Sequence, residues 1–319
     1  MRKKRNPSWA HSARTLAFAL AFAGSSSAQA EDWVREEARL DLPRGEWVFA
    51  LRVRPPAPHR GVVVLTHGAG SPGSATWDLR AANHSTMEAL ARAGFEAYAF
   101  DARGFGGSSR PPALDGPEKG PPVVRAQDVL LEIDRVLRWA GEPAHFDLVG
   151  WSWGCVVAGL YASEHPDRVR SLALFAPVWA RRNPERHITD RVWREESRAL
   201  HESLRSGADH PAVHAEFVDA LFRFSDDGVL RLPNGPYRDI YGVDAPIWDA
   251  SAVSARTLVF RGMRDRASLR RQALDLYEGL SGARERRYVE LGDTGHFAFR
   301  RRQAHRAFQE VLIGFLAGP

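Results

Sequence analysis

A serine between two glycines, directly after an apolar run, most constrains what this chain can fold into. Residues 146–151 have the apolar character of a short buried strand, and residues 155–162 continue as a buried helix would. The end of the run and the three residues after it form Gly-Trp-Ser-Trp-Gly, residues 150–154. The two glycines allow a turn that is too tight for a residue with a Cβ, and such a turn lifts the Ser152 hydroxyl above the edge of a sheet. Ser152 is therefore the candidate nucleophile, and a serine in an ordinary helix N-terminal turn is the alternative.

Apolar runs and helical spacing alternate along most of the chain. Runs typical of buried strands occur at residues 61–66, 95–100, 169–178 and 257–260. Apolar residues at helical spacing occur at 76–93, 124–139 and 269–280. Strands that alternate with helices predict an α/β fold, in which a mostly parallel sheet is covered by helices on both faces.

The pattern changes between residues 181 and 250. This stretch is rich in charged residues and contains three or so short helical patterns. We interpret residues 181–250 as an inserted helical cap. The core is then made of residues 31–180 and 251–319.

Residues 1–30 have the composition of a secretory signal peptide. Four basic residues follow Met1, an apolar stretch at residues 16–23 comes next, and Ala28-Gln29-Ala30 ends the segment. We expect cleavage after Ala30 and export to the periplasm or the extracellular space. The apolar stretch is too short to span a bilayer as a stable anchor. No stable membrane insertion is expected after the signal is removed. An uncleaved membrane anchor is the alternative.

The excess of basic residues is confined to that segment. The whole chain has 44 basic and 39 acidic residues, and five of the basic residues but none of the acidic ones lie in residues 1–30. The mature chain is therefore formally neutral. Its charge gives no reason to expect a nucleic-acid partner.

A base and an acid for Ser152 are found after two later strands. A serine hydroxyl needs a base to take its proton, and the base needs a third group to orient it. His296 follows a last predicted strand at residues 287–291 and is the candidate base, with His67 as the alternative. Asp265 follows the predicted strand at residues 257–260 and is the candidate acid, with Asp293 as the alternative. The carboxyl ends of parallel strands are where ligands bind in open α/β sheets, and the order Ser, Asp, His suits an elbow of this type.

Backbone N–H groups beside the serine are candidate donors to a negatively charged oxygen. The N–H of Trp153 starts the helix next to Ser152, and that of Ala69 lies in a glycine-rich loop after the strand at 61–66. Neither loop 68–73 nor loop 104–107 has the Gly-Lys-Ser/Thr ending of a phosphate-binding loop, so no nucleotide cofactor is expected.

Two other features have simple structural interpretations. His210 and His214 are four residues apart, but Asp209 and Pro211 explain the segment as the start of a helix, and we expect no metal site there. Cys155 is the single cysteine, so it cannot form an internal disulfide. We expect it to be a packed small residue and not a second nucleophile.

Five motifs in a fixed order resemble the α/β-hydrolase superfamily. They are His67-Gly68, the loop Asp101-x-Arg103-Gly104-x-Gly106-x-Ser108, the serine elbow, Asp265 and Gly295-His296. The resemblance covers nearly the whole mature chain. It implies an α/β-hydrolase fold and a hydrolase with a Ser-His-Asp triad that needs no cofactor, and it leaves the substrate open.

From these features we expect an exported serine hydrolase that cleaves a small carboxylic ester through an acyl-enzyme. The elbow and the loop after Asp101 are also similar to prolyl iminopeptidases, so an aminopeptidase is one alternative. A binding module without catalytic activity is another, and the oligomeric state stays open. The apolar surface for an ester is expected from Trp179, Phe217, Leu221, Phe222 and Trp248.

Overall fold

The computed structural model of the protein describes residues 33–56, 59–179, 190–242 and 245–318. The expected signal peptide, residues 1–30, lies outside the described residues, as do residues 181–189 of the expected cap. Within the described ranges, no helix is both long enough and apolar enough to cross a membrane.

The described residues include ten strands, eight of which form one sheet. The strands are β1 Val34–Asp41, β2 Trp47–Arg54, β3 Val62–Thr66, β4 Glu96–Asp101, β5 Phe146–Trp151, β6 Val169–Phe175, β7 Trp193–Ser197, β8 Val229–Pro233, β9 Arg256–Gly262 and β10 Arg286–Leu291. The large sheet has the order β1-β2-β4-β3-β5-β6-β9-β10. The β1/β2 and β2/β4 pairs are antiparallel, and the remaining neighbours are parallel. The prediction of a mostly parallel sheet is confirmed.

Helices cover both faces of this sheet. They are α1 Gly73–Trp77, α2 Thr86–Arg92, α3 Ala126–Trp139, α4 Gly154–Glu164, α5 Arg198–Ser203, α6 Pro211–Leu221, α7 Gly235–Tyr241, α8 Arg270–Gly279 and α9 Ala304–Ala317. Successive residues of a strand point to opposite faces. Val62 and Val64 of β3 accordingly join the apolar cluster of α3, α4 and α8, and Val63 and Leu65 join the cluster of α2 and α9. The prediction of helices on both faces is confirmed.

The segment between β6 and β9 contains a strand pair as well as helices. Helices α5, α6 and α7 occupy it together with β7 and β8, which form a separate two-stranded antiparallel sheet. The sequence pattern predicts helices alone. Each of these strands is only five residues long. Three of the five residues of β7 are charged, β8 ends in proline, and α5 and α6 separate the two strands in the chain, so no local periodicity indicates their pairing. We call residues 190–242 the insert.

The continuous helix expected at residues 76–93 is wrong. Helix α1 ends at Trp77, and α2 begins only at Thr86. Ala82 and Asn83 between them have φ angles of 51° and 59°, which no α-helix contains. Ser85 then caps α2, because its hydroxyl accepts a hydrogen bond from the N–H of Glu88.

A stability prediction follows from a close contact of α4. A Cβ added to Gly159 would lie 2.2 Å from a ring carbon of the buried Trp248. We expect Gly159→Ala to lower the free energy of unfolding by about 1–2 kcal/mol, because overpacking outweighs the gain in helix propensity. Gly314 of α9 is exposed with nothing within 4 Å of its added Cβ. Gly314→Ala is therefore the matched control and should raise stability by up to about 1 kcal/mol in urea unfolding. Equal effects at both positions would contradict the packing argument.

Candidate active site

Ser152 stands on a strained turn between β5 and α4. Its φ angle is 57°, a left-handed conformation that residues with a Cβ rarely adopt. A Cβ added to Gly150 would lie 2.4 Å from the carbonyl oxygen of Gly154, and one added to Gly154 would lie 2.4 Å from that of Thr66. Both positions therefore require glycine. The turn is packed directly against the carboxyl end of β3, which fixes the hydroxyl at that edge of the sheet.

A chain of two hydrogen bonds connects the three side chains that the sequence singled out. The Nε2 of His296 lies 2.9 Å from the Oγ of Ser152, and its Nδ1 lies 2.8 Å from the Oδ2 of Asp265. With a proton on Nδ1, the imidazole donates to the carboxylate and accepts from the hydroxyl. The Asp265 side chain is fully buried, and that of His296 is 16% exposed. The structure thus brings together Ser152, His296 and Asp265 in the arrangement that lets a histidine take a proton from a serine.

The loop after β9 holds Asp265 in place. Its second oxygen, Oδ1, accepts hydrogen bonds of 2.8 Å from the N–H groups of Ala267 and Ser268. Arg261 is buried and donates to the carbonyl oxygens of Asp265 and Ser268. The alternative acid, Asp293, has a side chain that is 76% exposed and forms an ion pair with Arg264. Asp265 is therefore the carboxylate that orients His296.

His67, the alternative base, is used differently. Its Nε2 accepts a hydrogen bond of 3.0 Å from the N–H of Ala102, so Nδ1 carries the proton and donates to the carbonyl oxygen of Gly68 at 2.8 Å. Burial lowers the pKa of His67 to about 4. The ring is thus a neutral bridge between the loops after β3 and β4, and the histidine at hydrogen-bonding distance from Ser152 is His296.

The two expected oxyanion donors lie on either side of the serine. Trp153 is the N-cap residue of α4, and Ala69 belongs to the loop after β3. This loop touches the elbow, because a Cβ added to Gly68 would lie 3.2 Å from the Cβ of Ser152. In the described part of the chain, no group accepts a hydrogen bond from the N–H of Ala69 or of Trp153. Both are free to donate to an oxygen bound at Ser152.

Trp151 has a role that the sequence analysis missed. Its indole Nε1 donates a 2.9 Å hydrogen bond to the carbonyl oxygen of His296. Its ring also packs against the rings of His296 and Phe297, with centroids 5.3 and 5.2 Å away. The residue before the serine therefore anchors the histidine loop. The sequence carries no signal for it, since the two residues are far apart in the chain.

Three of the aromatic residues expected around an ester substrate are divided between two places. Trp179 and Trp248 line a hollow of about 390 Å³ beside α8, and Ser152 is not among its lining residues. Phe217 of the insert packs against Phe297, the residue after His296, with ring centroids 6.2 Å apart. Of these three residues, Phe217 is the one that approaches the histidine loop.

The remaining nucleophile and ligand candidates do not contribute to this site. The Cys155 thiol is buried and donates to the carbonyl oxygens of Gly150 and Phe175, and burial raises its pKa well above the usual value. Across the described ranges, no three His, Cys, Asp or Glu side chains are grouped so that they could hold a metal ion. Of the two nucleophile candidates, Ser152 is the one with a histidine ring nitrogen at hydrogen-bonding distance.

Comparisons with known proteins agree with this architecture. A family model described as alpha/beta hydrolase fold matches residues 61–209. The (lyso)-N-acylphosphatidylethanolamine lipase of Bos taurus is 30% identical over 138 residues, which are 43% of this chain and 36% of the lipase. A pimeloyl-[acyl-carrier protein] methyl ester esterase of Neisseria meningitidis serogroup B is 43% identical over 65 residues, 20% of this chain and 24% of the esterase. The chain thus spans about a third or less of the length of these two relatives.

A solved structure extends the likeness to nearly the whole chain. The enol-lactonase from Burkholderia xenovorans LB400 superposes with a TM-score of 0.62 at 22% identity, and the match covers 86% of this chain and 98% of the lactonase. At this level of identity the likeness shows the fold.

The buried His67 leads to a prediction about acid stability. An unfolded histidine has a pKa of about 6.5, so between that pH and about 4 the unfolded chain binds more protons than the folded one. The contribution of neutral His67 to the free energy of unfolding is complete above pH 6.5 and is lost as the pH falls towards 4. We expect the stability difference between the wild type and His67→Asn to narrow by about 3 kcal/mol from pH 7 to pH 4, measured by urea unfolding. The exposed His145 supplies the control variant, His145→Asn, and a constant difference for His67→Asn would contradict the argument.

Proposed function

Since the chain belongs to the α/β-hydrolase superfamily, we propose that it is a serine hydrolase that cleaves a small carboxylic ester through an acyl-enzyme. The observation that carries the proposal is the hydrogen-bond chain from Asp265 through His296 to Ser152. A serine hydroxyl is a weak nucleophile unless an adjacent base takes its proton. The two hydrogen bonds supply such a base, His296, and the acid that orients it, Asp265.

Each step of the proposed reaction uses one of these groups. The Oγ of Ser152 attacks the ester carbonyl while the Nε2 of His296 takes the hydroxyl proton, and Asp265 stabilises the imidazolium that forms. The negative oxygen of the tetrahedral intermediate accepts hydrogen bonds from the N–H groups of Ala69 and Trp153. His296 then protonates the leaving alcohol as the ester C–O bond breaks. Water then attacks the acyl carbonyl while the Nε2 of His296 takes one of its protons. The bond between the acyl group and the Oγ of Ser152 breaks as His296 returns that proton to Oγ, so the carboxylic acid leaves and the free serine is restored.

The charges of the insert support an ester over a peptide with a free amino terminus. An aminopeptidase that binds an ammonium group needs a carboxylate inside the pocket that is available for it. Glu196 forms ion pairs with Arg194 and His201. Glu216 accepts hydrogen bonds from the backbone N–H groups of Arg80 and Ala81. These carboxylates already have partners. The matched stretches of a lipase and a methyl ester esterase add support for ester chemistry.

Two single variants and their combination test the proposed machinery. We expect Ser152→Ala and His296→Ala each to lower kcat by about 10⁴ or more, and the double variant to be little worse, because the triad acts as one unit. Hydrolysis of p-nitrophenyl acetate and labelling by a fluorophosphonate measure the loss, and circular dichroism checks the fold. Ser163→Ala is the control, since Ser163 lies on α4 and donates to the carbonyl oxygen of Leu160. Substantial activity in Ser152→Ala would reject the assignment, and a folded wild type that does not label would favour a binding module.

A substrate panel separates the esterase from the aminopeptidase. We expect short and medium acyl p-nitrophenyl esters to have a higher kcat/KM than proline p-nitroanilide, because Glu196 is already ion-paired and Glu216 already accepts backbone hydrogen bonds. The N-acetylated proline anilide is the control for a free amine. Faster turnover of the prolyl substrate, abolished by the acetyl group, would overturn the choice of an ester.

A further inference from the structure

One arginine of the insert reaches the loop that carries an oxyanion donor. Arg194 lies on β7, and its Nη2 donates a 2.8 Å hydrogen bond to the carbonyl oxygen of Ala69. The Arg194 side chain is only 15% exposed. A hydrogen bond from a charged donor in such a sheltered place is stronger than one between neutral groups, so this contact holds the loop firmly.

The other nitrogens of Arg194 are fixed within the insert. Nη1 donates to the carbonyl oxygen of Pro233 at 3.0 Å and lies 3.3 Å from the Oδ1 of Asn234, and Nε donates to Glu196 at 2.7 Å. The guanidinium also lies 4.3 Å from the ring centre of Tyr237. The planar guanidinium uses all three nitrogens in fixed directions. It therefore transmits the position of the insert to Ala69.

The charge partner of Arg194 is itself held in its ionised form. Burial alone would raise the pKa of Glu196, but the hydrogen bond from His201 and the charge of Arg194 outweigh burial and keep that pKa below its usual value. Arg194 thus retains a carboxylate partner, and the cost of sheltering its own charge is offset.

Two tethers determine the direction of the peptide groups around Ala69. In a trans peptide the C=O and the next N–H point in opposite directions, so a hydrogen bond to the oxygen also aims the N–H. The hydrogen bond from His67 to the carbonyl oxygen of Gly68 fixes the direction of the Ala69 N–H. The hydrogen bond from Arg194 to the carbonyl oxygen of Ala69 fixes the direction of the Gly70 N–H. Ala69 is fixed from both sides. One tether belongs to the core and the other to the insert.

We propose that Arg194 is a positioning residue that preorganises the oxyanion loop, so that the insert, which carries it, controls the rate of acylation at Ser152. This inference rests on the proposed function. Donors that are already aimed require no reorganisation when the negative oxygen forms, whereas a loop with one tether has to be ordered in every turnover. The effect belongs to the transition state and changes kcat more than KM.

Arg231 provides a matched control on the same small sheet. It lies on β8 opposite Glu195, its side chain is 43% exposed, and it pairs with Glu195. Arg194→Met and Arg231→Met each remove one guanidinium from this sheet, but only the first removes a bond to the loop. Arg194→Lys keeps the positive charge beside Glu196 but loses the planar guanidinium with its N–H donors in several directions. Guanidinium chloride at millimolar concentration, added to Arg194→Ala, tests whether the guanidinium itself is what the loop needs.

The experiment measures kcat and KM on p-nitrophenyl acetate, the rate of fluorophosphonate labelling, and the melting temperature. We expect Arg194→Met to lose about 10-fold to 100-fold in kcat and in labelling rate, with KM within about 2-fold, while Arg231→Met keeps wild-type rates. Arg194→Lys should lie between them, and guanidinium should restore part of the activity of Arg194→Ala.

Two results would overturn the inference while leaving the proposed function intact. One is a wild-type kcat and labelling rate in folded Arg194→Met, and the other is an equal loss in Arg231→Met, which would indicate a general weakening of the insert. A folded wild-type protein that neither labels nor hydrolyses esters would overturn the proposed function, and this inference with it.

Discussion

The close approach between the serine elbow and the end of β3 is the constraint on which the rest of the site depends. Thr66 donates from its hydroxyl to the carbonyl oxygens of Val149 and Gly154, and Gly154 leaves no space for a Cβ beside the carbonyl of Thr66. This contact joins the neighbouring parallel strands β3 and β5 at the edge where both strands end. The loop with Ala69 and the elbow with Ser152 therefore start from one rigid point, and their separation is set by backbone contacts.

The loop after β4 supports that point through buried charges. Asp101 accepts hydrogen bonds from the N–H groups of Ser74 and Gly107, so it connects the start of α1 with its own loop. Burial raises the pKa of Asp101 to about 6, although these hydrogen bonds oppose the shift. Arg103 then pairs with Glu132 of α3, whose pKa burial raises to about 7. The Asp-x-Arg-Gly motif thus links the loop after β4 to α1 and α3, and the N–H of Ala102 within it also holds His67 of the neighbouring loop.

The sequence predicted those parts of the site that lie at the ends of strands. Ser152, Asp265 and His296 each follow a predicted strand, and parallel strands bring their carboxyl ends to one edge, so local patterns were sufficient. Contacts between distant segments were out of reach. Arg194 resembles every other arginine of a charge-rich segment, and nothing local separates one that points at the core from one in solvent. The same holds for the pairing of β7 with β8, which depends on the core they pack against. The break at Ala82 was missed because alanine favours a helix, and the surrounding fold overrides that preference.

Because the thiol of Cys155 is buried, the protein forms no disulfide under either reducing or oxidising conditions. It is the single cysteine of the chain, it donates to two backbone carbonyls, and its raised pKa leaves almost no thiolate to react with oxidants or with other disulfides. The covalent structure is therefore the same in a reducing cytoplasm and in an oxidising compartment such as the one that residues 1–30 predict. Folding needs no oxidant and no disulfide isomerase, and two copies cannot become crosslinked through this residue while the core stays closed. A chain with this single buried thiol depends on non-covalent contacts alone for its order, in a reducing or an oxidising compartment.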